Sequence, residues 1–256
     1  MHTLGIIFIS LASCKESRMS TTDSPDDMSR EEAVDSSLPG PQRAAAAAKR
    51  TSPILEPELK KKGLAMGNPV YLRAFKEEEK LELWMRNERT DQFKLFRTYK
   101  IAAMSGNLGP KMAEGDKQVP EGFYHFNTRN LKPDSRFHLA FNIGYPNTYD
   151  KHHGRTGSFI MVHGNKVSAG CLAMTDPKIE EIYTLCAAAL ERGQPFIRIH
   201  IFPFHMTGEN MQKHSNNRHI DFWRNLKDGY DLFESTHLPP DTTIRSGRYA
   251  FRRNED

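Results

Sequence analysis

Phe159-Ile-Met-Val-His163-Gly164-Asn-Lys-Val-Ser168-Ala-Gly170-Cys171 runs from an apolar segment into a histidine, then through small residues to a cysteine eight positions later. Residues 158–162 read as a strand that delivers His163 at its end. After the cysteine the period changes. Ile179, Ile182, Tyr183, Cys186, Ala189 and Leu190 share one helical face, with Asp176 as the expected N-cap, Pro177 at the first helical position and Gly193 past the end. A strand end, a turn and a helix start therefore frame Cys171, whereas Cys186 falls on the apolar face of the helix and reads as core.

A thiol is a strong nucleophile only as thiolate, and a neighbouring imidazole is the usual means of obtaining one at neutral pH. Eight extended residues would hold His163 and Cys171 about 26 Å apart, so contact requires the chain to double back. Gly164-Asn165 supplies a turn signal for that. The positive end of the following helix is expected to depress the thiol pKa further. Gly170 would let a reacting carbonyl approach the main chain, and the Cys171 amide with a neighbour would form an oxyanion hole. Read alone, the pair is more simply a small buried cysteine and a strand-end histidine, since free cysteine is among the most buried residue types.

Outward from this segment, residues 70–75 and 80–85 alternate as a hairpin around the charged 76–79 turn, and 93–102 and 137–143 read as further strands. Gly and Pro crowd 105–124, marking tight turns. Residues 196–202 alternate with period two, placing Ile197, Ile199 and Ile201 on one face and Arg198 and His200 on the other. Two helical patterns, 207–214 and 220–227, and a polar tail follow. At the other end, residues 15–62 are rich in Ser, Thr, Pro, Asp and Ala with hardly an aromatic, and read as a disordered tether. Residues 1–14 form a short apolar run ending in Leu11-Ala-Ser-Cys14, too short to span a bilayer, and read as a secretory signal.

The chain has 256 residues, a net charge of +4 and three cysteines, Cys14, Cys171 and Cys186. The length suits one catalytic domain with appendages. Interspersed charges of both signs favour a solvated surface over a nucleic-acid groove, so no nucleic-acid partner is expected. Three cysteines in different contexts give no disulfide framework.

His163-Gly164 followed by Ser168-Ala169-Gly170-Cys171 resembles the signature of the L,D-transpeptidase catalytic domain, a bacterial cell-wall family. Gly109-Pro110-Lys111, Gly115-Asp116 and Pro120-Glu121-Gly122-Phe-Tyr124 are similar to that family's upstream turn motifs, in the same order. The resemblance implies a mainly β, α+β fold of sandwich or barrel type over residues 63–206, one helix after the cysteine, and a helical C-terminal extension over 207–256. It implies that Cys171 attacks a stem-peptide carbonyl at meso-diaminopimelate, that His163 is its general base, and that Gly170, Ser168 and Gly164 form the oxyanion and support segment. The resulting thioester passes to an amine or to water, with no cofactor.

Leu11-Ala-Ser-Cys14 resembles a lipobox, which implies a lipidated Cys14, a membrane anchor and a periplasmic location; an ordinary cleaved signal fits the run as well. Many family members carry arginine two positions after the cysteine, where this chain has Ala173, and histidine where it has Ala169. Gly170-Cys171-Leu-Ala173-Met174, Tyr145-Pro146-Asn147 and Phe202-Pro203-Phe204-His-Met206-Thr207 are closer to a Gram-negative murein L,D-transpeptidase branch. There, hydrolysis of an existing link, including one to an envelope lipoprotein, is as consistent as synthesis.

Other chemistries fit less well. Caspase-like enzymes separate their histidine and cysteine by about fifty residues. His152, His153, His163 and Cys171 are zinc-ligand types but lack paired metal spacing. A noncatalytic peptidoglycan-binding module would normally have lost one of the two reactive residues. Lys132, Arg136 and Arg155 are candidates for contacting acidic stem peptides, with surface charge as the plainer reading.

Overall fold

The computed structural model describes residues 37–252; Cys14, its lipobox-like surroundings and residues 15–36 of the expected tether lie outside them. The chain opens with helix α1, Gly40–Lys61, inside the segment expected to be a disordered tether. Composition hid a stripe at helical spacing: Ala47, Thr51, Leu55 and Leu59 fall four residues apart and are all buried. Pro41 sits in the first turn, where its missing N–H costs nothing, while Pro53 and Pro57 remove hydrogen bonds within the helix. Packing therefore has to supply what propensity lacks.

α1 packs on α3, Asp176–Glu191, the helix anticipated after Cys171. Thr51 Oγ donates to Thr184 Oγ (3.1 Å), Arg50 pairs with Glu180, and Arg97 bridges Glu58 of α1 to Glu181 of α3. The N-cap of α3 is Thr175 rather than Asp176, which occupies the first helical position. Its carboxylate instead accepts the Asn165 N–H (2.7 Å), drawing the loop after His163 onto the helix start.

The expected hairpin forms as β1, Val70–Phe75, and β2, Lys80–Arg86, followed by β3, Phe93–Lys100. These join β9, Ile197–Phe202, and β4, Gly122–Phe126, in a five-stranded sheet of order β3-β2-β1-β9-β4, in which β1 and β9 run parallel. A second sheet, order β5-β6-β7-β8, comprises Leu131–Lys132, Ala140–Asn142, Met161–His163 and Leu172–Ala173. Helix α2, Thr148–His152, lies between β6 and β7 in sequence. The fold is the sheet-rich α+β one that the resemblance implies, with no closed barrel among the described residues.

Both faces of the five-stranded sheet are covered. Ile197, Ile199 and Ile201 join Leu72, Leu83 and the α1 and α3 side chains in one core, as their alternation predicts. On the opposite face Phe75, Phe202 and Phe204 pack with Trp223, Leu226 and Tyr230 of α5, Ile220–Thr236. Helix α4, Gly208–Lys213, precedes α5, and the expected polar tail is a hairpin of β10, Asp241–Arg245, and β11, Arg248–Arg252. His200, on the polar side of β9 by pattern, is buried at 1% exposure and accepts or donates to Tyr71 Oη (2.7 Å) beneath this layer. The C-terminal extension thus completes the domain's core.

Candidate active site

β7 lies between β6 and β8, antiparallel to the first and parallel to the second, with His163 opposite Ala173. Cys171 lies two residues before Ala173, in the returning loop just ahead of β8. The chain does double back, into a parallel partner for β7. A parallel partner requires residues 164–171 to return to the start of β7 before β8 begins. Gly164 enables this by its lack of a side chain: a Cβ there would lie 2.3 Å from Asp176 Oδ1 and 2.7 Å from Phe137 O. The loop is held by Asn165 N–H on Asp176 and by Thr175 N–H on Asn165 O (3.0 Å).

His163 is buried, 2% exposed, with its ring stacked on Phe137 at 4.7 Å between centroids. Its Nδ1 is 2.5 Å from Gly164 O. A carbonyl only accepts, so Nδ1 carries the proton and Nε2 is the basic nitrogen. The group orienting the imidazole is therefore a backbone carbonyl, which no side-chain pattern could disclose. Burial holds the His163 pKa below its ordinary value, and the Gly164 carbonyl and the Asp176 carboxylate oppose that shift.

The Cys171 thiol is partly buried and points at Phe159 O, 3.9 Å away. Burial pushes its pKa up, against the lowering effect of the Met161 backbone and the Lys111 ammonium. The shift is opposite to the one expected from the helix dipole. Burial outweighs any such lowering, and the cation that acts on the thiol is Lys111 of the upstream motif. Both shifts act against the charged form, of the thiol and of the imidazole alike.

Ser168 holds the Cys171 backbone: its Oγ accepts the Cys171 N–H (3.1 Å) and donates to Cys171 O (2.7 Å). Gly170 has φ +100°, a conformation open mainly to glycine, and its N–H donates to Ser105 Oγ (2.7 Å). Both amides of the expected oxyanion pair thus already hold hydroxyl oxygens. Ser105 lies outside every motif singled out in the sequence, and only tertiary contact reveals it.

The upstream motifs form the wall beside this loop. Lys111 is buried, with Nζ donating to Ala113 O (2.8 Å) and Asp116 Oδ1 (2.5 Å). Lys111 and three backbone amides hold the Asp116 pKa down at about 2. Glu121, fully buried, binds Lys76 Nζ (3.0 Å), Gly109 N–H (2.6 Å) and Trp223 Nε1–H (2.7 Å). Ala173 is sealed at 0% exposure, and its N–H and C=O both bond to Ala103.

Other marked residues lie elsewhere. Arg155 is buried against Asp150 (2.8 Å), Arg136 covers the Phe137 ring, and Lys132 is in β5. His153 Nε2 bonds Gly247 O (2.8 Å) and His152 packs by Gly247, so neither joins His163. Among the described residues no three His, Cys, Asp or Glu side chains are arranged to hold a metal ion. Cys186 is fully buried in the core, as its position on the helix predicts.

Residues 69–201 match the model of the YkuD family, the L,D-transpeptidase catalytic domain. The chain is 48% identical over 185 residues to the Escherichia coli K12 protein named "Putative L,D-transpeptidase YafK", covering 72% of this chain and 74% of that one. Among solved structures it resembles the Campylobacter jejuni helical cell shape determining protein Pgp2 (K307A mutant), with TM-score 0.44 and 19% identity. That match covers 65% of this chain, which spans only 56% of the Pgp2 chain. Bdellovibrio bacteriovorus Bd1075 matches with TM-score 0.35 and 23% identity over 64% of this chain and 60% of its own. By its family match over the residues that build the His163 and Cys171 loop, and by its identity to that relative, the chain belongs to the L,D-transpeptidase catalytic domain family.

Proposed function

We propose that this protein is a cysteine acyltransferase of peptidoglycan stem peptides, with Cys171 as nucleophile and His163 as general base. The observation that supports the reading is the fixed tautomer of His163: Nδ1–H is committed to Gly164 O, leaving Nε2 basic, on a strand whose parallel partner begins immediately after Cys171. Sγ attacks the carbonyl of the meso-diaminopimelate residue while Nε2 takes the thiol proton. The tetrahedral intermediate collapses, its C–N bond breaks, and the departing amine takes that proton from the imidazolium, leaving a thioester. An incoming amine then forms a new amide with loss of the thiol, regenerating Cys171.

Water in place of the amine gives a hydrolase that cleaves crosslinks or links from peptidoglycan to an envelope lipoprotein. Ala173 leaves the acceptor open between the two readings. Where many family members present an arginine, this chain has a sealed methyl group, so the substrate end is recognised differently. The chemistry would take place in the periplasm, with the lipobox-like Cys14 as the anchor.

A defined tetrapeptide muropeptide, incubated with and without an amine acceptor, separates the readings by product mass. Crosslinked product that depends on the acceptor supports transfer; tripeptide or released link without acceptor supports hydrolysis. Turnover unchanged in Cys171→Ala would sink both.

A further inference from the structure

Ser105 lies 65 residues from Gly170 in sequence, yet its hydroxyl accepts the Gly170 N–H at 2.7 Å. The same hydroxyl donates to Lys117 O (2.7 Å), and Ser105 O accepts the Val119 N–H (3.3 Å). A side chain engaged in both directions, on a backbone that is itself tied down, is a fixed post. What it holds is the residue before the nucleophile, in a left-handed conformation at φ +100°. A Cβ on Gly170 would meet Gln118 O and Lys117 C at 3.4 and 3.5 Å, so the same 117–118 backbone supports the turn from below.

The next amide is held differently. Cys171 N–H reaches Ser168 Oγ at 3.1 Å, the longer of the two bonds, and Ser168 Oγ keeps a second partner, Cys171 O, at 2.7 Å. A carbonyl carbon bonded to Sγ places its oxygen within reach of the nucleophile's own amide. Exchanging the Ser168 acceptor for that oxyanion frees a hydroxyl that is still hydrogen-bonded. Exchange at Gly170 would instead break the post. The direction of the Cys171 N–H depends on the Gly170 turn, and the Gly170 turn depends on Ser105.

We propose that Ser105 is a positioning residue for acyl transfer, acting through Gly170 to aim the Cys171 amide at the oxyanion. The inference rests on the reading of Cys171 as nucleophile and goes beyond it by naming the group that orders its loop. A misdirected donor in such a site costs orders of magnitude in rate, whereas simple alkylation of the thiol develops no oxyanion and needs no donor.

The test uses the full chain with Ser105→Ala and Ser105→Thr. Two rates are measured by mass spectrometry with peptide mapping to Cys171: acylation by a carbapenem and alkylation by iodoacetamide. Ser105→Ala is expected to slow acylation by at least about tenfold while alkylation stays within about twofold, and Ser105→Thr, which keeps the hydroxyl, is expected to restore most of the acylation rate. Unchanged acylation in Ser105→Ala overturns the proposal. So does a parallel fall in both rates, which would mean collapse of the loop, and so does equal loss in Ser105→Thr. If the unmutated protein takes no acyl group at Cys171, the nucleophile reading has failed and this one falls with it; if it does and the Ser105 variants match it, only this one fails.

Discussion

At His163 the proton on Nδ1 is fixed by a backbone carbonyl, so the residue's chemistry is set by where its neighbour's peptide points. The pKa shifts make that chemistry testable. The imidazole is held below its ordinary 6.5 and the thiol above its ordinary 9.0, both by burial. With His163 in its proposed role as base, its neutral form persists to below pH 6.5, and the acidic limb of kcat/KM is expected to have its midpoint there. Iodoacetamide alkylation of Cys171 in the free protein is expected to climb through neutral pH toward a midpoint above 9. A rate flat from pH 5 to 9 would instead indicate a thiolate–imidazolium pair at rest. The apparent values belong to the pair rather than to either residue. The two candidates could be named from the sequence, because thiol and imidazole chemistry is carried by residue type. Ser105 and the Gly164 carbonyl could not be, because a serine among turn residues and a main-chain oxygen carry no type-level signal.

Helix α1 shows how an element can be misread from composition. Its alanines, prolines and lack of aromatics resemble a linker, yet four buried positions at spacing four bind it to α3. Leu55→Ala is expected to cost about 2–5 kcal/mol in urea unfolding, as for a buried leucine, and a cost near zero would return the segment to the tether it resembles. The strands were read well where alternation is long, as in β9, and poorly in the second sheet, whose members are two or three residues each. Such short strands exist only through their partners.

The turn between β1 and β2 forms a second element-scale device. Its Glu78 lies 3.0 Å from His205 Nδ1, Glu82 of β2 lies 3.4 Å from Nε2, and the ring stacks on Phe75. Both carboxylates raise the His205 pKa from 6.5 to about 9, against its burial. A group whose pKa rises on folding contributes stability that is complete below its unfolded value and lost as pH climbs through the folded one. The contribution is therefore complete below 6.5 and fades toward 9, and His205→Gln is expected to flatten the fall of Tm across that window.

At the scale of the whole molecule, the catalytic sheet and the C-terminal extension are one folding unit. Glu121 gathers Lys76, the Gly109 amide and the Trp223 indole in a fully buried cluster, so the wall of the candidate site and helix α5 share a single carboxylate. Glu121→Ala removes one partner of a buried ion pair and is expected to cost about 3–5 kcal/mol in denaturant unfolding. A chain ending at residue 206 would uncover Phe75, Phe202 and Phe204 and is expected to lose its cooperative thermal transition by circular dichroism. A sharp transition retained by that fragment would make the extension an accessory. The helices of this region were visible as periodic patterns, but their role was not, since nothing in a local pattern says which face of a distant sheet it covers.

Ala173 carries a last consequence. Its backbone is bonded on both sides to Ala103, and its methyl group has no exposed surface. An arginine there would have no volume to enter without separating the strand from its neighbour. Ala173→Arg alone would therefore disrupt this strand rather than deliver a guanidinium to the candidate site.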